Sequence, residues 1–97
     1  MHNVFLICYD VTDDKRLRRT YQTMKGYGDA LQYSVFRCEL SPQQRQRLQE
    51  ELRDILNFAT DRVMMVDLGP AGARGDACVQ FWGKPRTTPT DRTAVVV

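Results

Sequence analysis

The chain has 97 residues, a formal net charge of +2 at pH 7 and 42% hydrophobic residues, a size that fits one domain and favours a partner for its apolar surface. No run approaches the roughly 20 apolar residues of a membrane helix, and no signal-like segment opens the sequence, so we expect a soluble, cytoplasmic protein. Three cysteines without zinc-knuckle spacing indicate reduced thiols in the core rather than a metal site.

The first predicted element is a strand over Asn3–Tyr9, which is almost continuously apolar and ends at the carboxylate of Asp10. It is too short for a helix and reads as a central strand. A helix is predicted to follow, begun by capping side chains at Thr12, Asp13 and Asp14 and continuing to about Lys25.

Asp10 is followed within two helical turns by Arg16, Arg18 and Arg19. A carboxylate at the end of a buried strand can hold a hard cation such as magnesium, and guanidinium groups can bind the phosphates that it would activate. Because one carboxylate binds magnesium weakly, we expect a second Asp10 from a symmetric homodimer to complete the site. Eleven of the fourteen basic residues are arginine, which suits phosphate contacts, although a genome rich in G and C would produce the same bias.

A second strand is predicted through to Leu40, because Leu31, Tyr33 and Val35 alternate with the residues between them. Ser41 then opens a Ser-Pro-Gln-Gln capping box with proline at the first helical position. The second helix carries one apolar stripe suited to packing on a sheet, formed by Leu48, Leu52, Ile55, Leu56 and Ala59.

Two further strands are predicted, at Arg62–Leu68 and at Ala77–Trp82, joined by a loop rich in glycine that we expect to be a mobile hairpin tip. A domain over residues 1–83 would then be followed by a linker and a short β-prone tail at residues 84–97. The apolar tail suggests addition to a sheet edge, in the protein's own dimer or in another protein, with a frayed terminus as the alternative.

These elements predict an α+β domain in which two helices cover one face of a mostly antiparallel sheet of four to five strands. The ferredoxin-like two-layer sandwich is the expected architecture. Its βαββαβ order would require residues 30–40 to split into two strands, or the tail to contribute one, and the sequence leaves both possibilities open.

Several short motifs, in order and spacing, resemble the Cas-two family of small CRISPR-associated adaptation proteins over about residues 3–68. They are Tyr9-Asp10-Val11, Asp13-Asp14-Lys15-Arg16, Tyr27-Gly28 and the strand Leu31-Gln32-Tyr33-Ser34-Val35-Phe36. The resemblance implies a ferredoxin-like homodimer that sits between copies of the adaptation integrase and helps to capture DNA spacers. Some members of that family are described as metal-dependent nucleases.

The resemblance also implies roles for individual residues. Asp10 corresponds to the aspartate that approaches its dimer mate and binds a divalent cation, preceded by the family's tyrosine, here Tyr9. Two departures from the pattern are Ala30-Leu31, where several members place an arginine, and Leu17, which interrupts a basic run. The candidate catalytic residues are Asp10 and Tyr9, with magnesium on Asp10, and the candidate nucleic-acid contacts are Arg16, Arg18, Arg19, Ser34 and Phe36.

Structural roles compete with each of these assignments. Asp10 could cap a turn or helix, Tyr9 and Phe36 could be core residues, and Ser34 could be a plain strand hydroxyl. The functional alternatives are a magnesium-dependent endonuclease, a non-catalytic dimeric DNA-binding scaffold and a toxin-like ribonuclease of the same fold. An RNA-binding regulator ranks last, because Tyr33 and Phe36 are expected on opposite faces of one strand.

Overall fold

The computed structural model describes residues 1–72 and 78–84 together with the backbone of residues 94–96. The elements in chain order are β1 (Asn3–Asp10), α1 (Asp14–Lys25), β2 (Asp29–Gln32), β3 (Val35–Leu40), α2 (Pro42–Ile55), β4 (Arg62–Pro70), β5 (Val79–Phe81) and β6 (Ala94–Val96). In the described part of the chain, no helix is long and apolar enough to cross a membrane.

Strands β1 to β4 form one antiparallel sheet in the order β2-β3-β1-β4, so β1 lies in its interior as predicted. The core combines side chains from both helices with the inward residues of the strands, among them Met24, Leu48, Leu52, Ile7 and Phe36. The prediction of an α+β, ferredoxin-like sandwich is confirmed.

The single strand predicted through residues 31–40 is wrong, because the chain turns at Tyr33 and Ser34 and returns as a β2–β3 hairpin. The backbone N–H of Tyr9 donates to the Ser34 carbonyl oxygen at 3.1 Å, which attaches this turn to the end of β1. The split supplies the missing strand of the βαββαβ order.

The strand predicted at Ala77–Trp82 is present as β5, but its expected place in the main sheet is wrong. Val79–Phe81 instead forms a separate two-stranded sheet with Ala94–Val96, in parallel. The β-prone tail therefore forms a strand that pairs within its own chain. Residues 73–77 of the expected hairpin tip and residues 85–93 of the expected linker lie outside the described residues, so the boundary after residue 83 stays a prediction.

Local signals at the helix starts behave as the sequence predicts. The Asp13 side chain accepts a hydrogen bond from the backbone N–H of Arg16 at 2.9 Å, so it is the N-cap of α1. The Ser41 capping box is complete: its Oγ accepts from the Gln44 backbone N–H at 3.2 Å, and the Gln44 side chain accepts from the Ser41 N–H at 2.8 Å. Both caps satisfy backbone donors that a helix leaves open.

Gly28, between α1 and β2, lies where a side chain cannot fit. A Cβ there would meet the Arg37 carbonyl oxygen and would lie 2.5 Å from Cys38 Sγ. A glycine is therefore required for the chain to enter β2 so close to β3.

All three cysteines lie in the described ranges, and none forms a disulfide. Cys38 is fully buried, and burial raises the pKa of its thiol to about 12. Of the three core positions predicted, Cys38 is confirmed and the other two are wrong: Cys8 is half-buried and outside the core cluster, and Cys78 is exposed and precedes β5.

Candidate functional site

Asp10 is the last residue of β1 and is exposed. Because Ile7 and Tyr9 face the helices and side chains alternate along a strand, Asp10 lies on the opposite, outer face of the sheet. Its partner in the β1–β4 register is Arg62. Among the described residues, the Asp10 carboxylate has no hydrogen bond or ion pair, so it is available to a ligand.

The outer face next to Asp10 is apolar. In the β1–β4 register, Leu6 lies opposite Val66 and Cys8 lies opposite Met64, and directly opposed side chains share a face. Met64 is 55% exposed and Val66 is 37% exposed. A sheet face with apolar side chains this open is typical of a surface that another protein covers.

Arg16 is held by an ion pair. Its Nε donates to Asp61 Oδ2 at 2.8 Å and its Nη2 donates to Asp61 Oδ1 at 3.2 Å. The Asp61 side chain is fully buried, whereas that of Arg16 is 26% exposed. A two-point contact with a buried carboxylate fixes the guanidinium in place and directs it toward the protein.

Asp61 also fixes the loops around it. Its carboxylate accepts from the backbone N–H of Thr12 at 3.1 Å and from that of Asn57 at 2.9 Å. The Arg16 hydrogen bond is the main reason that the pKa of Asp61 lies well below its usual range, with the Asn57 and Thr12 bonds assisting. The Asp61 side chain thus joins the loop before β4 to the loop after β1, which it contacts at Thr12, two residues beyond Asp10.

Arg18 and Arg19 differ from Arg16. Both are exposed on α1, and in the described part of the chain neither takes part in an ion pair. They lie on the second turn of a helix that starts just after Asp10, so their charges flank the same end of the sheet. Of the three predicted arginines, these two are available for phosphate contacts.

Tyr9 is a core residue. It is 6% exposed, and its hydroxyl donates to the Tyr33 carbonyl oxygen at 2.7 Å. Burial, with smaller contributions from Tyr33 and Tyr21, raises the pKa of the Tyr9 phenol well above its usual range. The group therefore stays protonated and occupied, which makes it unsuitable for accepting a proton in a reaction.

Phe36 and Tyr33 contact one ring rather than lying on opposite faces of a strand, so that expectation is corrected. The Tyr33 ring stacks on Tyr21 at 4.9 Å, and the Phe36 ring meets Tyr21 edge-on at 5.5 Å. Phe36 has no exposed surface, whereas Tyr33 is 57% exposed. Of these two rings, Tyr33 is the one that can offer a face to a ligand.

Ser34 is half-buried in the β2–β3 turn, where its carbonyl oxygen accepts from the Tyr9 backbone N–H. That bond places it at the same end of the sheet as Asp10. The contact predicted for its hydroxyl stays a prediction.

The fit of a magnesium ion depends on the oxygen ligands that one chain brings together. In the described residues, no group of three or more His, Cys, Asp or Glu side chains could hold a metal ion. Asp10 therefore fits as one hard oxygen ligand, and a second chain, water or phosphate must supply the rest, which is the usual way that proteins bind magnesium.

Sequence reasoning did not find Asp61 or the exposed Tyr33–Tyr21 pair. Asp61 lies 45 residues from Arg16 along the chain, and no local pattern links the two. A strand that continues through Tyr33 would not bring its ring to Tyr21. The sequence leaves open whether residues 30–40 split into two strands but does not say where, and the ring pair depends on a turn at Tyr33 and Ser34.

Residues 3–74 match the family model of CRISPR associated protein Cas2. A CRISPR-associated endoribonuclease Cas2 of Rhodospirillum rubrum is 38% identical over 95 residues, which cover 98% of this chain and 91% of that protein. A CRISPR-associated endoribonuclease Cas2 of Synechocystis sp. is 32% identical over 93 residues, 96% of this chain and 98% of that protein.

Solved structures are similar as well. A hypothetical protein, TT1823, from Thermus thermophilus superimposes with a TM-score of 0.68 at 27% identity, over 69% of this chain and 82% of that one. The crystal structure of Streptococcus pyogenes Cas2 at pH 6.5 gives a TM-score of 0.61 at 29% identity, over 65% and 82% of the two chains.

Proposed function

Since the chain belongs to the family of CRISPR-associated protein Cas2, we propose that it is a homodimeric, nucleic-acid-binding subunit of CRISPR spacer acquisition that works with the adaptation integrase. We further propose that it cleaves phosphodiester bonds with magnesium held between two Asp10 carboxylates. The observation that carries this proposal is an exposed carboxylate at the end of an apolar sheet face, without an ion pair among the described residues and followed in the chain by a helix with two exposed arginines.

The homodimer follows from the outer face of the sheet. The apolar side chains of Met64 and Val66 are more exposed than is usual on a sheet face that contacts only solvent. Asp10 lies at the end of the same face. If two copies pack these faces around a two-fold axis, each residue near the axis meets its own copy. The two Asp10 carboxylates are then brought toward each other, and each chain supplies the ligand that the other lacks.

The residues of the chain have distinct parts in the proposed reaction. Asp10 would hold the cation, whose charge when bound offsets the negative charge that builds on phosphorus. Arg18 and Arg19 would bind the backbone of the strand to be cut, and Ser34 would orient a phosphate oxygen or water. Tyr9 and Arg16 would act indirectly, by positioning loops. Each is hydrogen-bonded to a loop that borders Asp10, and neither would contact the substrate.

A non-catalytic scaffold is the second candidate. It is favoured by the absence, in the described ranges, of a ligand cluster within one chain and by the protonated, occupied phenol of Tyr9. In that case Arg18 and Arg19 hold a duplex through its phosphates without reading its sequence. The scaffold would be identified if neither the wild type nor Asp10→Ala cuts nucleic acid and both bind DNA equally well.

A toxin-like ribonuclease is the third candidate, and substrate range separates it. A spacer-acquisition subunit binds duplex DNA, whereas a ribonuclease of this kind would bind and cut RNA alone. Equilibrium binding to a DNA duplex and to an RNA strand of equal length therefore distinguishes the two.

The nucleic-acid-binding part of the proposal is tested by salt dependence. We expect the logarithm of the binding constant for a short DNA duplex to fall linearly with the logarithm of salt, with a slope of about −0.9 for each phosphate contacted. Replacing both Arg18 and Arg19 with alanine should make this negative slope less steep by about 2. The matched control is Arg53→Ala, which removes an exposed arginine from α2. A slope unchanged in the double variant, or reduced equally by the control, would contradict this assignment.

A further inference from the structure

Tyr33 is an exposed aromatic ring held in a fixed position. It lies in the β2–β3 turn, 57% exposed, and its ring stacks on Tyr21 with centroids 4.9 Å apart and planes 18° from parallel. Tyr21 in turn meets the buried ring of Phe36 edge-on. One face of Tyr33 is therefore supported from the core outward, and the other is open.

The backbone beneath the ring is also fixed. The Tyr33 carbonyl oxygen accepts from the hydroxyl of Tyr9 at 2.7 Å, and the Ser34 carbonyl oxygen accepts from the Tyr9 backbone N–H at 3.1 Å. A ring whose backbone and inner face are both held loses little conformational entropy when a ligand stacks on it. This arrangement differs from a flexible surface tyrosine.

Positive charges flank the ring pair along α1. Arg18 lies three residues before Tyr21 and Lys25 four residues after it, so all three share one side of the helix. The Lys25 Nζ lies 5.7 Å from the centre of the Tyr21 ring. Both basic residues are exposed, and the seven helical steps from Arg18 to Lys25 span about 10 Å.

An exposed ring between basic side chains is the arrangement with which proteins hold single-stranded nucleic acid. The bases stack on the aromatic face while the cations follow the backbone, and base–ring stacking tolerates any sequence because every base has a π face. A paired base inside a duplex is covered on both faces by its neighbours. The ring thus favours an unpaired nucleotide.

We propose that Tyr33, supported by Tyr21 and flanked by Arg18 and Lys25, is a stacking platform for an unpaired base of single-stranded DNA or RNA. The platform lies at the same end of the sheet as Asp10, since Tyr9, the residue before Asp10, is hydrogen-bonded to both residues of the β2–β3 turn. This inference rests on the proposed nucleic-acid binding and adds to it a preference for a single strand or a frayed duplex end.

The experiment uses oligonucleotides that carry the fluorescent base 2-aminopurine at successive positions, as single-stranded DNA, single-stranded RNA and blunt DNA duplex. We expect the wild-type protein to change the fluorescence at one or two positions of a single strand and at none inside the duplex. Tyr33→Ala should weaken single-strand binding about 10-fold, within the range measured for loss of one stacking ring, and should leave duplex binding within about 2-fold.

Three further variants separate stacking from packing. Tyr33→Phe keeps the ring and should bind as wild type does, whereas Tyr33→Leu still covers Tyr21 but has no π face and should bind as Tyr33→Ala does. The control is Phe58→Ala, because Phe58 is 56% exposed and forms no ring pair among the described residues. It should have no effect. Comparison of the DNA and RNA arms shows which strand the platform holds.

The failures are distinguishable. The platform would be overturned if Tyr33→Ala and Tyr33→Leu bind single strands as tightly as the wild type does and the wild type changes the fluorescence at no position. The salt-dependent binding through Arg18 and Arg19 would then still stand. Failure of the wild type to bind any of the oligonucleotides would overturn both the proposed nucleic-acid binding and the platform.

Discussion

The Tyr9 hydroxyl provides a sharp test of how the site is built, because two roles predict different results for Tyr9→Phe. The substitution removes the donor to the Tyr33 carbonyl oxygen, a bond of 2.7 Å, and leaves the packed ring in place. A neutral hydrogen bond of this kind contributes about 1 kcal/mol. In a domain of this size, its loss should lower Tm by about 4–8 °C.

If Tyr9 only positions the β2–β3 turn, cleavage should change by less than about 3-fold, whereas loss of a general acid or base costs about 10²–10⁴-fold. Single-turnover cleavage and thermal unfolding, measured on the same preparation, give both quantities. Tyr27→Phe is the control, since the Tyr27 hydroxyl donates to Glu51 at an exposed position and its loss should change little.

The pH dependence has a defined sign. Burial raises the pKa of the folded Tyr9 phenol, so its contribution to stability is complete below the ordinary value of 10.0 and is lost as the pH rises further. The stability difference between wild type and Tyr9→Phe should therefore narrow above about pH 10. A variant with wild-type Tm and cleavage reduced a hundredfold would refute the positioning role and make Tyr9 catalytic.

Three other substitutions test separate parts of the account. Asp61→Asn should lower the free energy of unfolding at neutral pH, because it weakens the pair with Arg16. Since the pKa of Asp61 is depressed in the folded protein, the difference in unfolding free energy from wild type should be complete at pH 7 and shrink below about pH 4. Urea unfolding at several pH values measures this difference. Gly28→Ala should cost at least about 2 kcal/mol or prevent folding, since its Cβ would meet backbone, whereas Gly26→Ala, whose nearest contact is 3.3 Å, should cost less than about 1 kcal/mol in the same assay. Met64→Asp should convert the proposed homodimer to a monomer in sedimentation without unfolding the protein, and a variant that stays dimeric would place the interface elsewhere.

Elements with strong local signals were predictable from the sequence. The continuous apolar run of β1, the Asp13 cap and the Ser41 capping box each determine structure over a few residues, and all three are confirmed. The break at Tyr33 and Ser34 was not predictable in the same way. The turn contains no glycine, proline or asparagine, and the alternating pattern continues through it, so only pairing with β1 reveals it.

The candidate site was predictable in its residue types but not in their partners. The exposed position of Asp10 follows from the end of β1, and the exposure of Arg18 and Arg19 follows from the helix. The contact between Arg16 and Asp61 joins distant parts of the chain, so Arg16 looked equivalent to its neighbours until the fold was known. Long-range pairs of this kind depend on topology rather than on local sequence.

The most direct test of the central claim is cleavage of end-labelled RNA and DNA by purified protein with magnesium, with manganese and with a chelator. Asp10→Ala is measured alongside Asp14→Ala, which removes a neighbouring exposed carboxylate from the first turn of α1. We expect metal-dependent cutting that disappears in Asp10→Ala and persists in Asp14→Ala. Cutting that survives in Asp10→Ala, or that a verified monomer performs, would contradict a metal site shared between two Asp10 carboxylates.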